Sequence, residues 1–445
     1  MQRVLIDGIW VDAQSALLHQ IENPANLAVL GTVADCGTED VARAARAAGR
    51  ARMDWCGLAA NDKAAAVARI AAGVRERAGA IARLLTQESG KPACEACDEV
   101  ATTADRFTRL AMQIPDCAPA QIDRAGVAVV AVLASFDRPL AGFAGALAAA
   151  LAADEAVICK PPRENPLSTL LLAETFEVLP PGLVNVLTGG AGTAAALVDA
   201  EGVDRVVCCG PRSRHEAIAA AAIARGKALG LERGVITPIV VLGDADLELA
   251  AAGAAWAGLH NAGQACGARA RIFVERHAAA AFADQLHQYV AFLEVGDPLK
   301  PDTDLGPVIS HLAVRSAEEQ VARALQDGAR LKLGGRSFSP WGLPGHFFQP
   351  TILTEPHRGG LAARAEILAP VVAITSFAGT AELIQELGEQ LTGAVRVYAG
   401  DAAAAARLMA SVWPGRADGL EHVTARDRAW FPYRDRAPPR ADRTT

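Results

Sequence analysis

Hydrophobic and polar positions along this chain follow two different periods. Near the start, Val4 to Val11 (VLIDGIWV) alternates and is expected to form a strand. After a loop at Asn23-Pro24, Thr38-Glu39-Asp40 opens an alanine-rich stretch with helical spacing. Thr38 is its expected N-cap, with acids in the first turn. A second helix is expected from about Asn61 through Glu88, stopped by Ser89-Gly90-Lys91-Pro92, and a third over roughly Ala93 to Gln113.

From Val127 onward the pattern changes to short continuous apolar runs separated by helical segments. Val127–Ala134, Glu155–Cys159, Val184–Leu187 and Val203–Cys209 read as strands buried on both faces. Helices are expected between them at about 140–153, Leu167–Leu179 and Gly192–Asp199, with another from about Arg212. This alternation predicts a doubly wound parallel sheet. A second alternation begins at Ile239–Leu242, with a helix near 247–260, a strand at Arg271–Val274 and a helix to about Leu293. A long loop (Val295–Ser310), a helix over about 311–328, short strands and a helix near 380–390 follow. The expected architecture is therefore α/β with two doubly wound lobes. They cover residues 1–230 and 231–412, and a tail over 413–445, rich in Arg, Asp and Pro, is irregular.

Composition narrows the function classes. A single core stops growing near roughly 250–300 residues, so 445 residues agree with two lobes. Hydrophobic residues at 51% and charged residues at 21% exclude global disorder, and aromatics at 5% leave the core to Ala, Val, Leu and Ile. A net charge of -7 lacks the basic footprint of a nucleic-acid binder. The longest apolar run, near Leu140 to Ala153, is shorter than the ~20 residues of a membrane span and reads as a buried helix. Nine scattered cysteines and an N-terminus without an apolar signal core point to reduced thiols and a cytoplasmic protein.

Three constellations carry candidate chemistry. Gly190-Ala191-Gly192-Thr193-Ala194-Ala195 matches a relaxed dinucleotide fingerprint. It lacks an acid at the right distance, the signal is weak in an alanine-rich chain, and a tight strand-to-helix turn is the better reading. Cys94 and Cys97 form a lone CxxC inside a helical pattern; with no second pair or clustered histidines, no metal site is expected. Glu232, in Leu231-Glu232-Arg233-Gly234, precedes Cys266, in Asn261-Ala262-Gly263-Gln264-Ala265-Cys266. A cysteine in a small-residue loop and a distant carboxylate suit covalent catalysis: the thiolate attacks a carbonyl and the carboxylate activates the water that releases the acyl group.

On these residues the chain resembles the NAD(P)-dependent aldehyde dehydrogenase superfamily, from about residue 5 to about 435. The Glu232 and Cys266 segments resemble the family's glutamate and cysteine signatures. Val157 to Pro162 followed by Asn165-Pro166-Leu167 resembles the strand and turn that meet the adenosine ribose. Val295-Gly296-Asp297-Pro298 with Asp302 to Pro307, and Gly345 to Thr351, are near-verbatim family segments; Glu366 to Pro370 resembles the stretch that holds the nicotinamide ribose.

The resemblance implies a Rossmann-like cofactor lobe and a catalytic lobe. It implies Cys266 as nucleophile, Glu232 as general base, and Lys160 and Glu366 as ribose contacts of NAD or NADP. The turn from Gly210 would set a helix N-terminus under the pyrophosphate. Asp137 stands where the family has its oxyanion asparagine; a carboxylate repels an oxyanion, and losing one such donor costs on the order of 10²–10³ in rate. Pro211 replaces a small polar residue after Gly210. Arg163 falls where NAD-preferring relatives carry an acid, so NADP acceptance is expected. The segment between about Arg109 and Arg124 is short of the family's oligomerisation hairpin, and the tail after Tyr433 departs from the family's last strand; a monomer or atypical dimer is expected. The leading expectation is oxidation of an aldehyde to its acid. The alternatives are a catalytically impaired binding or scaffold protein, and ester chemistry at Cys266 without hydride transfer.

Overall fold

The computed structural model describes residues 3–116, 129–210, 212–233, 238–265, 271–356, 367–387, 395–412 and 420–423. It divides into two compact units, Met1–Arg233 and Gly234–Thr445.

Unit 1 begins with a hairpin rather than one strand. β1 (Val4–Ile6) and β2 (Ile9–Val11) pair antiparallel across Asp7-Gly8. Both turn residues have positive φ, 58° and 75°, which is the geometry an Asp-Gly two-residue turn provides. A separate antiparallel ribbon follows, β3 (Leu18–Glu22) with β4 (Val29–Ala34). The first helix, α1 (Thr38–Gly57), is capped by Gly37, not Thr38. The carboxylate of Asp40 reaches back to the Gly37 amide at 3.3 Å, which leaves Thr38 as the first helical residue.

The expected 61–88 helix is two helices, α2 (Ala60–Glu76) and α3 (Ala78–Ser89), broken at Arg77. The break lets both legs pack on α4 (Ala93–Gln113), which one straight rod could not do along its whole length. Gly90 ends α3 in the left-handed region, φ 76°, with its amide on the Thr86 carbonyl.

Five parallel strands form the body of the unit 1 sheet: β5 (Val129–Leu133), β6 (Ala156–Lys160), β7 (Val184–Val186), β8 (Arg205–Gly210) and β9 (Ala228–Arg233). β9 has no counterpart among the expected strands. The connecting helices are α5 (Ala141–Ala152), α6 (Leu167–Ala173), α7 (Ala191–Asp199) and α8 (Arg212–Ala224). Every side chain of β5 and β6 is buried, as a sheet covered by helices on both faces requires. The sheet order is β2-β1-β7-β6-β5-β8-β9, so the winding direction reverses between β5 and β8. In such sheets ligands bind outside the carboxyl ends of the strands, at that reversal.

Unit 2 repeats the principle. β10 (Ile239–Val241), β11 (Arg271–Glu275), β14 (Val371–Phe377), β15 (Val395–Tyr398) and β16 (Leu420–Val423) are parallel, and β13 (Thr351–Thr354) joins them beside antiparallel β12 (Arg330–Leu333). Helices α9 (Leu247–Leu259), α10 (Ala279–Ala291) and α11 (His311–Gln326) accompany them, with two shorter helices at Thr380–Leu387 and Ala402–Val412. Among the described residues, no helix is long and apolar enough to cross a membrane.

Candidate active site

Four of the sequence-derived candidates sit at the carboxyl ends of the parallel strands in unit 1. Lys160 is the last residue of β6 and Gly210 the last of β8; Glu232 lies near the end of β9, and Asp137 in the loop that leaves β5. The β8–β9 register pairs Cys209 with Glu232 and Gly210 with Arg233. Asp137 and Gly210 therefore flank the winding reversal, with Glu232 one strand further out.

Glu232 is exposed and its Oε2 accepts from the Cys209 thiol at 3.2 Å. Burial, reinforced by the Glu232 charge, pushes the Cys209 thiol far above its usual range. The thiol therefore stays protonated and acts as a donor toward the carboxylate. The sequence reading missed this contact because it depends on the pairing of β8 with an unanticipated strand.

Asp137 is buried, 2% exposed. Its backbone carbonyl accepts from Lys91 Nζ at 2.8 Å, and that of Phe136 from Asn165 Nδ2 at 2.9 Å. Downstream, Glu99 Oε1 takes the amides of Leu140 and Ala141 at 3.0 and 3.1 Å, capping α5.

Lys160 is also 2% exposed; its Nζ donates to the carbonyls of Pro161 and Gly189 at 2.8 and 2.7 Å. That joins the turn after β6 to the turn after β7. Gly189 has φ +144°, and a Cβ there would lie 1.9 Å from Thr193 Oγ1, so glycine is required. A Cβ on neighbouring Gly190 would come 3.4 Å from Arg163 Cδ. The relaxed glycine fingerprint is thus a tight turn beside Arg163. Arg163 is exposed, and its carbonyl lies 3.1 Å from His19 Nε2.

Donors at helix starts and glycine-only backbone at the strand ends suit a dinucleotide. Gly210, φ +133°, ends β8 two positions before α8 begins at Arg212, and a helix N-terminus after a glycine turn favours phosphate. Lys160 and Arg163 would serve the adenosine ribose side. These residues fit NAD or NADP.

In unit 2, Cys266 and Glu366 lie outside the described residues, but their approaches do not. Asn261, Ala262 and Gly263 all adopt left-handed φ, at 52°, 52° and 68°. Such a run in non-glycine residues costs of order 1–3 kcal/mol each and persists only where packing enforces it. A Cβ on Gly263 would lie 2.0 Å from the Ala369 carbonyl oxygen. The lead-in to Cys266 is therefore pressed against the end of the Glu366–Pro370 stretch. Gln264 braces the turn: its Nε2 donates to the Asn261 carbonyl at 3.0 Å, and its Oε1 accepts from the Ile309 amide at 2.8 Å. Val308 N in turn donates to the His346 carbonyl at 2.9 Å, tying in the 345–351 segment. Three separate sequence motifs thus support one turn.

Among the described residues no group of His, Cys, Asp and Glu could hold a metal ion. Cys94 and Cys97 are exposed on the first turns of α4.

Comparison with known proteins points in one direction. The family model described as "Aldehyde dehydrogenase family" matches residues 10–416. Glutarate-semialdehyde dehydrogenase of Pseudomonas aeruginosa is 32% identical, covering 86% of this chain and 82% of that protein. The NADP(+) succinate-semialdehyde dehydrogenase of Escherichia coli is 31% identical over 90% of this chain and 86% of its own. Among solved structures, betaine aldehyde dehydrogenase of Staphylococcus aureus in complex with NAD+ superposes with a TM-score of 0.88 at 29% identity, covering 95% of this chain and 86% of that one.

Proposed function

The chain belongs to the aldehyde dehydrogenase family, and from that membership we propose how its own residues divide the NAD(P)-dependent oxidation of an aldehyde to a carboxylic acid. The observation that carries the assignment is the gathering of Asp137, Gly210 and Glu232 at the carboxyl ends of β5, β8 and β9, where the winding reverses.

In this reading Cys266, as thiolate, adds to the aldehyde carbon and forms a thiohemiacetal. Bound NAD or NADP supplies the acceptor for the hydride that leaves that carbon. Cys266 then holds the acyl group as a thioester. Glu232 draws a proton from water, the resulting hydroxide attacks the thioester carbon, and the C–S bond breaks to give the acid and the thiolate. The Cys209 thiol holds Glu232 through one oxygen and leaves the other for water. Backbone around Asp137 would border the oxyanion, Lys160 and Arg163 would hold the adenosine ribose, Gly210 and the start of α8 would take the pyrophosphate, and Glu366 would take the nicotinamide ribose.

Cofactor-dependent absorbance followed with a panel of aldehydes, headed by the succinate and glutarate semialdehydes of the relatives' names, tests this beside Cys266→Ala. The expected outcome is reduction with at least one aldehyde, lowered by about 10⁴ or more in the variant. No Cys266-dependent signal with any aldehyde would reject the assignment; ester hydrolysis alone would favour chemistry without hydride transfer. The short segment between Arg109 and Arg124 supports a monomer or atypical dimer, and a stable tetramer in light scattering would reject that reading.

A further inference from the structure

Buried charges are costly, and replacing a buried ion pair with apolar residues is often neutral or stabilising. A sealed pair therefore invites the question of what else it does. Among the described ion pairs only Lys91–Glu99 has both side chains closed off, 2% and 4% exposed; in Lys63–Asp154 the acid is 41% exposed and in Arg205–Glu155 the arginine is 33% exposed.

Both members of the sealed pair face the same loop. Lys91 Nζ donates to the carbonyl of Asp137, and Glu99 Oε1 accepts from the amides of Leu140 and Ala141, while Glu99 Oε2 bonds Lys91. Three backbone groups between residues 137 and 141 are thus held by one charge pair, and that loop leaves β5 at the winding reversal. Lys91 follows the glycine that stops α3, and Glu99 sits two turns into α4, so the clamp is anchored on two helices packed together. A rigid, charge-assisted brace of this kind suits a loop whose backbone must not drift as charge develops beside it.

We propose that Lys91 and Glu99 are positioning residues for the reaction: together they clamp the 137–141 loop in the geometry that hydride-yielding oxidation at Cys266 requires. This rests on the aldehyde dehydrogenase reading of the site. Neither side chain touches substrate; both act through the loop backbone.

The test uses the full-length protein, two clamp variants, a conservative rescue variant and a control. Lys91→Met removes the donor to Asp137 and leaves Glu99 with its two amides. Lys91→Met/Glu99→Met replaces the whole pair with apolar groups of similar length and should fold even if the single variant does not. Lys63→Met, which disrupts a partly wet ion pair elsewhere, is the control. The expected result is a loss of about tenfold or more in kcat in both clamp variants, with the KM for the cofactor within twofold and partial recovery in Lys91→Arg; Lys63→Met keeps the wild-type kcat. Amide hydrogen exchange gives a readout independent of turnover. In the double variant, Leu140 and Ala141 should exchange at least about tenfold faster, while Leu167 and Ser168, held by Glu88, keep their rates. A folded double variant with wild-type kcat overturns the proposal. Unchanged exchange at 140 and 141 overturns it as well. If wild-type protein shows no Cys266-dependent reduction, the aldehyde dehydrogenase reading fails and the exchange data still decide the clamp.

Discussion

Two turns at the carboxyl edge of the unit 1 sheet are each backed by a buried glutamate, in different electrostatic surroundings. Glu99 caps α5 behind the 135–141 loop and is neutralised by Lys91. Glu88 caps α6 behind the turn after β6, taking the amides of Leu167 and Ser168 at 2.6 and 2.8 Å, and no described cation pairs with it. Burial pushes the Glu88 carboxyl up to about 7; hydrogen bonding from the Ser168 side chain and from the Ser168 and Leu167 amides pulls it back, and the charge of Glu99 raises it further. The same capping task is thus done by an ion-paired carboxylate after β5 and by a carboxylate without a described ion pair after β6. The difference teaches that the two strand-end turns need not respond alike to pH or to mutation.

The strongest way to break the comparison is to remove one member of the fixed pair. Glu99→Ala leaves Lys91 buried beside a single carbonyl. Breaking a buried pair in this manner costs about 3–5 kcal/mol, and urea unfolding at pH 7 should read a loss of that size. A loss below about 1 kcal/mol would mean that water reaches the ammonium and that the pair is not sealed.

Next in size is the pH response of Glu88. Its native pKa lies above the unfolded value of 4.5, so the native state binds the proton more tightly than the unfolded chain. The stabilisation is fully present below pH 4.5 and is lost as pH rises toward about 7. With 1.36 kcal/mol per pKa unit, the loss is about 3 kcal/mol at most. Unfolding free energies measured at pH 5 and pH 8 should fall more in wild type than in Glu88→Gln. Parallel profiles would show that the hydrogen bonds from Leu167 and Ser168 hold Glu88 ionised throughout, and burial without a described ion pair would not make this cap pH-sensitive.

A third experiment sharpens the chemical side. Asp137→Asn puts an amide donor where the oxyanion is expected to develop. If the buried carboxylate opposes that charge, kcat for aldehyde oxidation should rise on the order of 10²-fold. A fall instead would reject the idea that the Asp137 side chain opposes the developing charge.

How much of this was legible in the sequence follows from what each feature depends on. Buried strands such as Val129–Leu133 announce themselves as unbroken apolar runs, and the motifs around Glu232 and Cys266 identify the family. The Asp7-Gly8 turn was written in the sequence too, but the apolar alternation on either side masked it. β9 was missed because Ala228-Leu229-Gly230-Leu231 is a weak strand signal whose pairing with β8 decides its structure. Lys91 looked like part of a helix stop, which Gly90 indeed provides. Nothing in a Ser-Gly-Lys-Pro string says that its lysine is buried, because burial comes from the packing of α3, α4 and the loop after β5. Likewise, the Cys209–Glu232 contact exists only through a strand register. The family and the strand pattern were readable, whereas contacts made by tertiary packing were not.

The smallest effect belongs to the ribose side alone. Arg163 is exposed at the rim, with its stem beside Gly190, and a guanidinium there can hold a 2′-phosphate with two parallel hydrogen bonds. Exposure weakens such a contact, so Arg163→Ala should lower the ratio of kcat/KM for NADP over NAD by about tenfold, the equivalent of 1.4 kcal/mol. The wild-type ratio should also shrink as salt rises, because solvent-exposed charges are screened within about 10 Å at 0.1 M; in the variant it should be nearly flat. If Arg163 serves the adenosine end as proposed, kcat at saturating cofactor should stay within twofold, in contrast to the Lys91 variants. A wild type that strongly prefers NAD, with a ratio untouched by Arg163→Ala, would reduce Arg163 to a solvated surface residue. It would leave Glu88, behind the same turn, as the feature that distinguishes the ribose side from the oxyanion side.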